Sequence, residues 1–112
     1  MLLGDGTVPT GASPNAINPS VEVCHELKPY CAAFRLNQPI GASVCLHREP
    51  GGRVLVLSPC GVCRERLEVY GPDVQVGVAD PRDTPVVVLK ALKDVLPDYW
   101  MTTFPPRSTK AG

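Results

Sequence analysis

The sequence has no apolar run long enough to cross a bilayer. Its longest runs, such as Val86-Val87-Val88-Leu89, fall far short of the roughly 20 residues that a spanning helix needs. It also has no excess of either charge: 11 Lys and Arg balance 11 Asp and Glu, for a formal net charge of zero and a pI of about 6.7. Nucleic-acid binders usually carry a strong positive excess, so neither a membrane nor a nucleic acid polymer is expected as a partner. No charged-then-apolar leader ending in a small-residue cleavage site opens the chain. The five cysteines are an odd number, which argues against a secreted disulfide framework. A cytoplasmic location, where thiols stay reduced, is therefore expected. Internal repeats and low-complexity blocks are also missing.

What is present is an ordinary globular composition, 44% hydrophobic and 20% charged in 112 residues, which suits a single domain over 1–112. Proline is the outlier: the chain has 13, more than twice the usual share of roughly 5%. The prolines are spread out and punctuate many short elements, which argues against long helices and coiled coil.

Residues 1–23 read as a loop-rich N-terminal segment. It begins with a strand end at Leu2-Leu3, a turn at Gly4-Asp5-Gly6 and a second strand at Thr7-Val8. Helix signals start near Cys24, with Pro29 in the first turn and an apolar stripe of Leu27, Tyr30, Cys31 and Phe34. The helix fades by Asn37. A strand follows over 40–47, then a turn at Glu49-Pro50-Gly51-Gly52, then the run Val54-Leu55-Val56-Leu57, which suits a strand covered on both faces. A second helix should run from Cys60 to about Tyr70 and stop at Gly71-Pro72. Val74, Val76 and Val78 alternate along a further strand, Thr84 to Leu89 reads as another, and Ala91 to Leu96 as a short helix. Residues 101–112 are expected to be a flexible tail. Strands separated by helices imply an α/β domain of two or three layers on a mixed or largely parallel sheet.

The motif that carries chemistry is Pro59-Cys60-Gly61-Val62-Cys63, at a strand-to-helix junction. Two thiols at a helix start are favoured as thiolates by the exposed N–H groups and the helix dipole, and they can grip one metal ion. Zinc then needs two more protein ligands if structural, or one more and water if catalytic. Cys24, 36 residues upstream of Cys60, is the candidate third thiolate. Glu26, two residues on, is placed to serve as a general acid and base.

The pair Cys24-His25-Glu26-Leu27 and Leu57-Ser58-Pro59-Cys60-Gly61-Val62-Cys63-Arg64 resembles the cytidine deaminase superfamily, of the small three-cysteine zinc type that includes cytidine and blasticidin S deaminases. Val74 to Asp80 and Leu96-Pro97-Asp98-Tyr99-Trp100 are similar to later parts of those enzymes. The resemblance implies a mixed five-stranded sheet with helices on both faces, in which this chain lacks the family's N-terminal helix and first strand. It implies Zn2+ held by Cys24, Cys60 and Cys63, with Glu26 as the catalytic proton carrier. The implied reaction is hydrolytic deamination of a cytosine-type nucleoside or analogue, zinc hydroxide attacking C4 and ammonia leaving. The partners it implies are a small nucleoside-like substrate and further copies of the chain, in a dimer or tetramer.

Two departures bear on that expectation. His25 stands where the family usually has Ala. The nucleoside-binding loop, roughly Gly-x-Asn-x-Glu in the family, matches Gly11-Ala12-Ser13-Pro14-Asn15, so Ser13 and Asn15 take the two sugar-binding positions. Arg64, directly after Cys63, is a candidate for offsetting the charge of three thiolates. Other readings of the same residues stay open. The same residues also suit a purely structural zinc on a non-catalytic deaminase-like scaffold, and Cys60 and Cys63 also suit a redox pair. Cys31 and Cys45 read as small core residues, and Tyr99, Trp100 and Phe104 as core or subunit-interface residues.

Overall fold

The computed structural model describes residues 1–105. Strands β1 (Leu2–Leu3), β2 (Ile40–Ser43), β5 (Gln75–Asp80) and β6 (Asp83–Ala91) form one sheet in the order β1-β2-β5-β6. Within it β2 and β5 run parallel, and the outer pairs are antiparallel, so the sheet is mixed. Strands β3 (Cys45–Arg48) and β4 (Val54–Leu57) make a separate two-stranded ribbon. Three helices complete the α/β fold: α1 (Leu27–Arg35), α2 (Gly61–Leu67) and α3 (Leu92–Val95).

The parallel step from β2 to β5 requires a long crossover, which here carries the ribbon and α2. Val74, just before β5, and Val76 and Val78 within it are buried and share the face that a period of two predicts. Val74 and Val76 join Leu3, Ile40, Ala33 of α1, Leu67 of α2 and Leu92 of α3 in one core cluster. All three helices therefore share one core, and the two that border the candidate site, α1 and α2, meet in it.

Several expected elements take a different form. Thr7-Val8 forms no strand: the chain turns back only as far as the bonds from Leu3 N–H to Thr7 O and from Gly6 N–H to Leu3 O. The strand expected across 40–47 is interrupted at Val44. The turn at 49–52, closed by Glu49 N–H to Arg53 O at 2.8 Å, folds β4 back onto β3 and draws 45–48 away from β5. In β4 only Val56 is fully buried, and Leu57 is exposed, so its apolar run is covered on one side rather than both.

Helix α1 begins at Leu27, three residues later than the sequence suggests, after a turn closed by Leu27 N–H to Cys24 O. Pro29 sits in the first turn, where its missing N–H costs nothing. The helix ends in a Schellman motif, with Asn37 at φ 52° and bonds from Asn37 N–H to Phe34 O and from Gln38 N–H to Ala33 O. Its inward face is Pro29, Tyr30 and Ala33, so Tyr30 of the expected stripe faces the core, Leu27 is half-buried, and Cys31 and Phe34 are exposed. Ala33, the smallest of these residues, lets the helix approach the core closely, and Tyr30 packs edge-on against Tyr70 at 6.3 Å. The large apolar residues lie about 100° round the helix.

Helix α2 follows the expected span, tightening to a 3-10 turn over Glu68–Tyr70 and stopping at Gly71, whose φ of 99° favours glycine. Cys45 is buried as expected. Trp100 and Phe104 are exposed and pack on each other rather than in the core. Of the tail expected over 101–112, residues 101–103 belong to a 3-10 turn (Trp100–Thr103), and 106–112 lie outside the described residues. No helix among the described residues is long and apolar enough to cross a membrane.

Candidate active site

The site forms where the segment entering α1 meets the N-terminus of α2. Cys60 is the N-cap of α2, in extended backbone, and Cys63 lies one turn into the helix with its side chain buried. The N–H groups of Cys63 and Val62 face the Cys60 sulfur and draw its thiol below the ordinary value, although no side-chain cap bond closes in strict geometry. Burial pushes the Cys63 thiol well up, and its contact with Cys24 adds to that. The Cys24 and Cys63 sulfurs are 3.2 Å apart. Cys24 stands in the turn before α1 rather than on the helix itself, so it reaches the site by chain path and not by a dipole of its own.

Glu26, immediately before α1, is 7% exposed. Its Oε2 accepts a hydrogen bond from Ser43 Oγ at 3.1 Å. Burial raises its pKa above the ordinary carboxylate value, and the Ser43 bond partly opposes that rise. A buried, weakly acidic carboxylate beside thiols is the kind of group that can both take and return a proton.

The residues expected to form a substrate loop sit around the same helix start. Gly11 lies so close to α1 that an added Cβ would stand 2.7 Å from His25 O and 2.8 Å from Pro29 Cδ. Ser13 Oγ donates to Val23 O at 2.6 Å, one residue before Cys24. Asn15 is exposed in the loop. Arg64, expected to offset charge, gives its guanidinium to two backbone carbonyls, Pro59 O at 2.8 Å and Val95 O at 3.0 Å. The cation that touches a site thiol is Arg66, whose Nη1 lies 3.6 Å from Cys24 Sγ. Sequence reading missed Arg66 and Ser43. Arg66 had a legible signal, since it follows Cys63 by three residues and so shares its helix face. Ser43 had none, because its meeting with Glu26 is purely tertiary.

By donor chemistry the three thiols suit zinc. Among the described residues, however, no group of three or more His, Cys, Asp or Glu side chains stands at metal-site spacing. The 3.2 Å between Cys24 and Cys63 is shorter than the S–S edge of about 3.8 Å that follows from a Zn–S bond of about 2.3 Å in a tetrahedron. To hold zinc, the two sulfurs would part by roughly half an ångström.

A mixed-sheet α/β domain with thiols and a buried carboxylate gathered at its helix starts is deaminase-like in class. The comparison with solved structures makes the assignment specific. The crystal structure of the cytidine deaminase from Bacillus anthracis matches with a TM-score of 0.84 and 36% sequence identity, over 91% of this chain and 72% of that one. The chain belongs to the cytidine deaminase family. No protein-family model and no curated protein matches it.

Proposed function

We propose that this protein is a zinc-dependent hydrolase that deaminates a cytosine-type nucleoside or nucleoside analogue, giving the uracil-type product and ammonia. The observation that carries the reading is the meeting of Cys24 and Cys63 at 3.2 Å beside the buried Glu26, in a chain whose structural neighbour is a cytidine deaminase. Cys24, Cys60 and Cys63 would hold zinc, which supplies the Lewis acidity that makes water reactive near neutral pH. Glu26 accepts a proton from the water that attacks C4 and delivers it to the ring nitrogen. It then passes the remaining hydroxyl proton to the departing amine, so that one water is consumed and one ammonia leaves. Ser43 holds the carboxylate in place for both transfers.

The loop argues for an altered sugar. Ser13 already gives its hydroxyl hydrogen to Val23 O, and neutral Asn15 accepts from hydroxyls more weakly than a carboxylate. A small soluble substrate fits a cytoplasmic enzyme. Self-association into a dimer or tetramer is supported by the exposed apolar side chains Phe34, Leu46, Val62 and Leu89.

The test is metal content measured together with ammonia release from a panel of aminopyrimidine nucleosides. Stoichiometric zinc with ammonia is the expected result. Zinc without ammonia makes the protein a scaffold, and a zinc-free protein with a Cys60–Cys63 disulfide makes it a redox protein. Either result overturns the reading.

A further inference from the structure

The thiol site carries a charge that a cation in contact with its sulfurs would offset. Zn2+ on three thiolates carries a net charge of about −1, and residual negative charge weakens the acidification of water that a catalytic metal provides. Arg64 is occupied with Pro59 O and Val95 O. On the α1 side the residue after Glu26 is the apolar Leu27, and Lys28, the cation of that first turn, is exposed. Arg66 is half-buried on α2, one turn beyond Cys63. It stands with Met1, Glu26, Tyr30, Cys63 and Leu67 around a shallow cleft, and its Nη1 reaches Cys24 Sγ at 3.6 Å.

We propose that Arg66 is the positioning residue of the site, holding the Cys24 sulfur from α2 and supplying the positive charge that the three-thiolate set requires. This rests on the deaminase reading for its catalytic part and on the thiol geometry alone for its metal part. Arg66 spans the two chain segments that donate thiols: its backbone belongs to the helix of Cys60 and Cys63, and its guanidinium bonds the cysteine of the other segment. A guanidinium in contact with a sulfur stabilises the loaded, negatively charged site by several-fold to a hundredfold or more, depending on how far solvent screens it. Reach matters as well as charge, because a guanidinium presents its N–H groups at fixed angles and an ammonium does not.

The experiment compares Arg66→Met, which removes the charge at similar length, with Arg66→Lys, which keeps it. Two readouts are taken: zinc affinity by competition with a chromophoric chelator, and the split between kcat and KM for deamination. Arg66→Met is expected to bind zinc at least about tenfold more weakly and to lose at least about tenfold in kcat, with KM within about threefold. Arg66→Lys is expected to recover a large part of both. If Arg66→Met does not melt cooperatively, Arg66→Gln takes its place against Arg66→Lys. A folded Arg66→Met with wild-type zinc affinity and kcat overturns the assignment, and so does a change in KM alone, or a Lys variant as impaired as the Met variant. Wild-type protein that binds zinc but releases no ammonia sinks the deaminase reading while the affinity comparison still decides Arg66. Wild-type protein that binds no zinc overturns both.

Discussion

Ser43 and Glu26 are the two buried polar side chains among the described residues, and they are bonded to each other: Ser43 Oγ donates to Glu26 Oε2 at 3.1 Å. Burial raises the Glu26 pKa and this bond holds it down. Ser43→Ala should therefore raise it further. Because Glu26, in the proposed role, accepts a proton only when ionised, the acid limb of kcat/KM should move to higher pH. A limb that stays put or moves to lower pH would show that the bond does not set this value.

Glu26→Gln removes the proposed proton carrier and keeps the shape. Turnover should fall by at least about a hundredfold with zinc retained. Stability should move the other way. The folded value lies above the ordinary 4.5, so the stability linked to protonated Glu26 is full below 4.5 and is lost as pH rises through the folded value. Near neutral pH the Gln variant, with no buried charge, should melt at or above the wild-type temperature. Loss of zinc in this variant would make Glu26 a ligand and refute its role as proton carrier.

Cys60→Ala should lose zinc and much stability together. Metal binding contributes roughly 10–16 kcal/mol in small zinc sites, comparable to the whole stability of a domain at about 5–15 kcal/mol. Zinc content by mass spectrometry and a melting curve check this. A variant with stoichiometric zinc and an unchanged Tm would refute the ligand assignment.

Gly11→Ala should damage the site from outside it. The new methyl would press on His25 O at 2.7 Å and Pro29 Cδ at 2.8 Å, and neither backbone carbonyl nor proline ring can swing away. The loop carrying Ser13 and Asn15 must lift from α1, at about 1–3 kcal/mol. Steady-state kinetics should show a raised KM with zinc content unchanged; unaltered KM would mean that the loop does not contact substrate.

Substrate preference should follow the loop. Across cytidine, deoxycytidine, blasticidin S and free cytosine, a substrate with a modified or absent ribose should give the highest kcat/KM. Cytidine best by tenfold or more, about 1.4 kcal/mol, would place ribose recognition elsewhere than at Ser13 and Asn15.

The elements legible from sequence were those whose cause is local. Val74, Val76 and Val78 alternate in sequence, Gly71-Pro72 stops the 3-10 turn that extends α2, and Cys60 through Cys63 sits at a strand-to-helix junction; each depends on residues a few positions apart. The tertiary structure decided what depends on which surface lies opposite. The inward face of α1 passes through Ala33 and Tyr30 because Tyr70 and the core lie there, and no periodicity within the helix could favour a small alanine over Phe34. Cys24 meets Cys63 across 39 positions and Ser43 meets Glu26 across 17. Of two neighbouring arginines on α2, Arg64 turns to backbone carbonyls and Arg66 to a thiol, because residues two apart on a helix point about 200° apart. Residue types and local spacing determined which groups were available; only the packing of α1 and α2 in one core decided which of them touch.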